Sequence, residues 1–280
     1  MIYFDHSSTT PMHPRVAEKI DYINRTHYAN PSSIYSKGRK AKSLIEKARN
    51  QVADAIGAES NQILFTSGGT EANNQVLLNK LSEEKKHLIV SSIEHPAILK
   101  VLNKIESYGI TSSFIPVNKD GIVEIDSVMN LINKNTGLIS IMLANNEVGS
   151  IQPIQEIVEN TNPLNIPFHT DAVQALGKIP INVDSLGVDY LSLSAHKFYG
   201  PKGIGALFVK NKKMMQSLIV GGDQENGLRG GTENIAGIVG MGLAAEIAIE
   251  NQETCCTHLK YLEKYFLDNL KSNSPDVLCN

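Results

Sequence analysis

Seven short apolar runs of five to seven residues recur along the chain, separated by stretches with helical spacing. They fall at 62–67, 87–92, 111–117, 138–143, 166–170, 188–193 and 204–209. Apolar runs of this length, bounded by polar and glycine-containing turns, read as strands buried on both faces. Between and before them the apolar period changes to that of a helix. Val16, Ala17, Ile20 and Ile23 share one face of a segment from Pro14 to about Tyr28. Leu44, Ile45, Ala48, Val52 and Ile56 do the same over 36–56, with Gly57 placed to end that helix. A further helix is expected over 71–81, and the chain reads as helical from Asn234 to about Leu270. This alternation predicts an α/β fold whose largely parallel sheet is covered by helices on both faces. In such sheets, ligands collect beyond the carboxyl ends of the strands.

Charge and cysteine usage narrow the function classes. The 280 residues carry 26 basic and 29 acidic side chains, a net charge of -3. That balance argues against nucleic acid or an anionic membrane as the main partner. No apolar run approaches a membrane span, and the N-terminus lacks a basic start followed by an apolar stretch. Three cysteines, Cys255, Cys256 and Cys279, cannot all pair within the chain, which fits a reducing cytoplasm. No second pair of ligands stands at zinc-binding spacing.

The unusual polar residues gather where the strand-like runs end. Lys197 lies in Ser194-Ala195-His196-Lys197-Phe198-Tyr199-Gly200-Pro201-Lys202-Gly203, between two of those runs. A lysine at the end of a buried strand can lose its proton and attack an aldehyde, as in the Schiff base of pyridoxal phosphate. A surface lysine in a Gly-Pro turn is the alternative. Ser67-Gly68-Gly69-Thr70-Glu71 leads a strand into a helix, offering free N–H groups and a hydroxyl to a phosphate, or merely a capped turn. His95, before a helix-starting proline, could stack on a cofactor or simply pack in its loop. Asp171 ends an apolar strand, where its carboxylate needs a partner. A pyridinium nitrogen would serve; capping a following helix is the other reading. Asn145 and Asn146 could hydrogen-bond a ring hydroxyl or a carboxylate, or form a polar turn. Five unrelated turns would not ordinarily supply all the parts of one pyridoxal phosphate site.

Taken in order, these motifs resemble the cysteine desulfurases of the NifS/IscS type, within the class V aminotransferase-like enzymes of fold-type I. The likeness runs from Phe4-Asp5-His6-Ser7-Ser8-Thr9-Thr10-Pro11, through Asn30-Pro31-Ser32-Ser33 and the turns above, to Leu228-Arg229-Gly230-Gly231-Thr232-Glu233-Asn234. The resemblance implies the aspartate aminotransferase-like fold, a mixed and mostly parallel sheet sandwiched by helices. It implies an N-terminal segment over 1–13, a cofactor domain over 14–250 and the start of a small domain over 251–280. It implies pyridoxal 5'-phosphate as cofactor and Lys197 as its Schiff-base lysine. His95 would stack on the ring and assist proton transfer, and Asp171 would pair with the ring nitrogen. Gln174 and Asn146 would approach the ring hydroxyl. Thr70, with Gly69 in its turn, Ser194 and His196 would hold the phosphate. Thr232 would reach the phosphate of a partner subunit, making a homodimer with composite sites. The implied substrate is L-cysteine, converted to alanine, with sulfur passing through an enzyme persulfide to an iron–sulfur scaffold or a tRNA-thiolation acceptor.

Several positions depart from the family pattern. None of the three cysteines matches the family's nucleophile loop. Cys255 and Cys256 are expected to be buried and structural, and Cys279 to fray at the terminus. Family members continue past the position of Asn280, so a truncated small domain, and a chain inactive in desulfuration on its own, is the expectation. Tyr35 stands where the family often has histidine, and Gly222-Asp223-Gln224-Glu225-Asn226 replaces a more glycine-rich, basic stretch. A selenocysteine lyase, a class V aminotransferase and a non-desulfurating pyridoxal phosphate-binding paralogue are the competing readings.

Overall fold

The computed structural model describes residues 2–274 and Asp276. Seven strands form one sheet: β1 (Ile63–Thr66), β2 (His87–Ser91), β3 (Thr111–Ile115), β4 (Thr136–Ser140), β5 (Phe168–Asp171), β6 (Tyr190–Ser194) and β7 (Gly205–Val209). The helices of the described residues include α1 (Pro14–Thr26), α2 (Ser36–Asp54), α3 (Gly69–Asn79) and α4 (Pro96–Ile105). They continue with α5 (Ile125–Met129), α6 (Ile154–Thr161), α7 (Val183–Leu186), α8 (Ile235–Glu250) and α9 (Gln252–Asn273). Each apolar run of the sequence overlaps one strand, β4 starting two residues before its run, and α3 begins two residues earlier than its periodicity predicts.

The sheet order is β1-β7-β6-β5-β4-β2-β3. Neighbours from β6 to β3 are parallel, while β7 is antiparallel to both β6 and β1. The exception follows from chain length. Only residues 195–204 link β6 to β7, too few for the crossover that a parallel pair requires.

Period-two alternation divides β1, β2, β4, β6 and β7 between two cores. Ile63 and Phe65 belong to the core that includes α2, α6 and α8, whereas Leu64 belongs to the one that includes α3 and α4. Ile89 and its neighbours Leu88 and Val90 divide in the same way. The helices therefore clamp the sheet from both sides, and its strand ends are held as fixed points.

The long C-terminal helical segment is interrupted at Asn251, whose backbone (φ -103°, ψ 2°) separates α8 from α9. α8 is largely buried, but α9 buries no residue. The expectation that Cys255 and Cys256 are buried is thus corrected: both are half-buried, on a helix that touches the body along one edge only. Leu259, Tyr261, Leu262, Tyr265 and Phe266 of α9 are exposed. Cys279 lies outside the described residues.

Candidate active site

Because β7 is antiparallel to both its neighbours, β1 runs in the same direction as β6, so β1, β2, β4, β5 and β6 all end on one edge. Residues at and just beyond those ends line a cavity of about 500 Å³. The turn after β1 fits there for a backbone reason. Gly68 has φ 155° and ψ 177°, a region open essentially to glycine alone. The start of β7 passes so close that a Cβ on Gly205 would lie 2.6 Å from Gly68 Cα. Two glycines therefore bring the N-terminus of α3, with Gly69 and Thr70, onto the end of β6 at Ser194. Glu71 fixes this turn: Ser67 N donates to its Oε2 at 2.8 Å, and Arg229 Nε donates to its Oε1 at 3.0 Å.

Asp171 is buried at the end of β5. Asn73 Nδ2 donates to its Oδ2 at 2.6 Å, and Val173 N donates to its Oδ1 at 3.0 Å. No helix follows directly, so Asp171 closes a turn and does not cap a helix. Burial pushes its carboxyl up from the usual range, opposed by those hydrogen bonds and by the charges of His95 and Lys197. None of the ion pairs among the described residues includes Asp171. A buried carboxylate with two hydrogen bonds and no ion pair leaves a role for a cationic ligand in the cavity.

Glu94 is the second buried carboxyl. Its Oε1 accepts from Ser91 Oγ and Met142 N, both at 2.7 Å, while Oε2 has no partner. Desolvation pushes this carboxyl up to about 8; the nearby charge of Asp171 adds to the shift and the two hydrogen bonds oppose it. The next residue, His95, caps α4: its Nδ1 accepts from Ala97 N at 3.1 Å. In the neutral ring the proton then sits on Nε2.

Lys197 follows β6, half-buried, and its Nζ donates to the carbonyls of Ser7 at 2.5 Å and Ser8 at 2.8 Å. Desolvation lowers its proton affinity, with Asp171 and Asp5 opposing. The N-terminal segment reaches it as a strap. Thr10 donates to His196 O through both its N and its Oγ1 at 3.0 Å, and Tyr199 N donates to Thr10 Oγ1 at 2.9 Å. His196 Nδ1 and Thr9 Oγ1 are 3.0 Å apart. Tyr199 holds φ at 62°, unusual for a non-glycine residue, so the lysine turn is strained where the strap grips it.

Of the residues singled out in the sequence, Gly69, Thr70, His95, Asn146, Asp171, Gln174, Ser194, His196 and Lys197 all line this cavity. Thr232 does not; it is exposed, outside the cavity. Of the asparagine pair, Asn145 is buried and builds the turn, accepting from Glu147 N and Val148 N through Oδ1, while Asn146 faces the cavity. Sequence reasoning missed Asn73, which stands three residues after Thr70 on α3 and whose helical spacing could have revealed it. It also missed the carbonyls of Ser7 and Ser8, for which a sequence carries no side-chain signal. A second cavity, of about 520 Å³ and mostly apolar, shares Ser7 and Lys197 with the first and includes Lys178 and Cys255. Among the described residues, no helix is long and apolar enough to cross a membrane, and no cluster of three or more His, Cys, Asp or Glu could hold a metal.

Comparison with known proteins places these features among relatives. The model of the class-V aminotransferase family matches residues 2–279. A cysteine desulfurase IscS of Dictyoglomus turgidum is 46% identical, over all of this chain and 72% of its own length. One from Clostridium botulinum is 44% identical, over all of this chain and 71% of its own. Among solved structures, a NifS-like protein superimposes with a TM-score of 0.94 at 38% identity, covering 98% of this chain and 76% of its own. SspA in complex with cysteine gives 0.84 at 42%, covering 88% of this chain and 72% of its own.

Proposed function

Because the chain belongs to the class-V aminotransferase family, we propose that it is a pyridoxal phosphate-dependent cysteine desulfurase acting on L-cysteine. One observation carries this reading. Lys197 Nζ and the buried Asp171 carboxyl line one cavity, together with a glycine-built helix N-terminus. Those are the parts that an aldehyde, a pyridine nitrogen and a phosphate each require.

Lys197 is the amine that would hold the cofactor's aldehyde. Asp171 would keep the ring nitrogen protonated, and the cation so formed would answer the cost of burying the carboxylate. Thr70, Ser194, His196 and the N–H groups opening α3 would hold the phosphate. His196, with Nδ1 against Thr9, has Nε2 left to donate. Gln174 and Asn146 would approach the ring hydroxyl, and His95 would cover the ring face. Pyridoxal phosphate, when bound, supplies an aldehyde that captures amines and a ring that accepts electrons from the substrate's α-carbon. Lys197 Nζ, its proton affinity lowered chiefly by desolvation, takes and returns the proton at that carbon. The strap over residues 7–10 holds this amine through the carbonyls of Ser7 and Ser8.

We take 14–250 as the cofactor domain and 251–280 as the start of a second, preceded by an N-terminal segment over 1–13. Thr232 would serve the phosphate of a partner subunit in a homodimer, and the sulfur acceptor would be an iron–sulfur scaffold or a tRNA-thiolation protein in the cytoplasm. Reconstitution with pyridoxal phosphate should give a visible band that borohydride removes, leaving reduced cofactor on Lys197. Lys197→Ala should lose that covalent label altogether; a label retained by the variant would sink the assignment.

A further inference from the structure

Lys178 has no part in the chemistry above, yet it is a half-buried cation one hydrogen bond away from it. Its Nζ donates to Gln174 Oε1 at 2.6 Å. Gln174 Nε2 donates to Ser7 O at 2.7 Å, and the same carbonyl accepts from Lys197 Nζ. The direction of this chain is forced. An ammonium only donates and a carbonyl only accepts, so the Gln174 amide can point one way. Without Lys178 the amide oxygen would lose its donor, and the Ser7 carbonyl alone would hold the NH2 in place.

Lys178 also lacks the partner a buried cation usually has. It joins none of the ion pairs among the described residues, and no acidic side chain lines its cavity. The titratable groups around it are His6 and His13 from the N-terminal segment, Tyr199 and Lys197 from the lysine turn, and Cys255 from α9. Cys256 adds a thiol that donates to Lys178 O at 2.8 Å. Beyond Lys197 stand Asp171 and Asp5. Desolvation brings Lys178 down to about 8, with Lys197 pushing the same way and Cys255 opposing. The two ammonium groups are joined through Gln174 and the Ser7 carbonyl, and like charges so placed disfavour one another.

We propose that Lys178 is a positioning residue for the reactive lysine: its ammonium locks the Gln174 amide with NH2 toward Ser7 and the cavity, and its charge stands against that of Lys197 across the shared Ser7 carbonyl. A hydrogen bond from a cation also polarises the amide, making its NH2 a stronger donor to any anionic oxygen in the cavity. The proposal rests on Lys197 being the cofactor-bearing amine, and it deepens that reading by naming what controls the amine's charge.

The test compares wild type, Lys178→Met and Lys178→Arg, each checked for an unchanged fold by circular dichroism. In the first arm, the chain before cofactor addition is labelled with trace acetic anhydride across pH 6–11, and Lys197 acetylation is read by mass spectrometry. The labelling midpoint of Lys197 should rise by roughly 0.5–1 unit in Lys178→Met, and Lys178→Arg should restore it. In the second arm, the reconstituted protein is titrated and the pH midpoint of its visible band is read. It should move upward in Lys178→Met and return in Lys178→Arg. A Lys197 midpoint that stays put in Lys178→Met would overturn the proposal, as would an arginine variant that behaves like methionine. Should wild type show no visible band, the cofactor reading fails instead, and the first arm still decides the role of Lys178.

Discussion

Replacing Glu94 with glutamine should make the protein's stability less sensitive to alkali. Glu94 is fully buried, and its carboxyl is raised to about 8 from an ordinary value of 4.5. The folded state therefore binds a proton that the unfolded chain releases. Between those two values the unfolded state holds fewer protons, so stability falls as pH rises. The stabilising effect is complete below about pH 4.5 and gone above about pH 9. Integrating that linkage from pH 6 to pH 9 gives a loss of about 3 kcal/mol from this one residue. Glutamine matches the neutral acid: its Oε1 can accept from Ser91 Oγ and Met142 N as Glu94 does. Its NH2 would occupy the place of Oε2, which has no partner in either case. Glu94→Gln should thus resemble wild type below about pH 4.5, and its advantage should grow by about 3 kcal/mol between pH 6 and pH 9. In urea that amounts to a midpoint difference of roughly 1 M at an m-value near 3 kcal/mol/M. Subtracting wild type from variant at each pH cancels the contributions of Lys178 and other titrating groups, some of opposite sign. Parallel pH profiles for the two proteins would refute the reasoning, because they would mean that Glu94 is ionised in the folded state at pH 6.

Two further outcomes follow from the cavity's supports. Arg229→Ala removes a partly exposed ion pair from Glu71 and loosens the Ser67–Thr70 turn by about 1–2 kcal/mol, so pyridoxal phosphate should bind roughly 5–30-fold more weakly, as read by equilibrium dialysis. Gly205→Ala places a methyl 2.6 Å from the Gly68 backbone, which has to shift. Its melting temperature should fall by roughly 2–10 °C, together with weaker cofactor retention, and an unchanged melting curve would argue that the turn has room to spare.

Much of this arrangement is legible in the amino-acid sequence. The strands were readable because burial on both faces makes each one a short, nearly continuous apolar run. The polar residues of the site were readable because they interrupt the chain where such runs stop. What escaped reading did so for identifiable reasons. The carbonyls of Ser7 and Ser8 are backbone atoms, common to every residue, and only the fold brings them to Lys197. Glu94 gives no such signal, since a sequence does not say that a carboxyl beside a turn is fully enclosed. The antiparallel placement of β7 depended on counting the residues between two strands, not on their composition. Cys255 and Cys256 were expected inside because cysteines are commonly buried, but α9 packs along one edge only and leaves them half-exposed.

The strap joins the two ends of a long wait during synthesis. Lys197 and Ser7 are 190 residues apart, and the contacts of Thr9 and Thr10 with His196 span 187 and 186. A ribosome adding about 5–20 residues per second needs roughly 10–40 s to bridge that interval. Until Gln174 arrives to meet Ser7 O, the N-terminal segment lacks its partners in the body, and the phosphate turn after β1 stands without the β7 glycine that seats it. Capture of a cofactor by a correctly held lysine is therefore among the last events of folding, and a nascent chain shorter than about 205 residues has no finished site to offer.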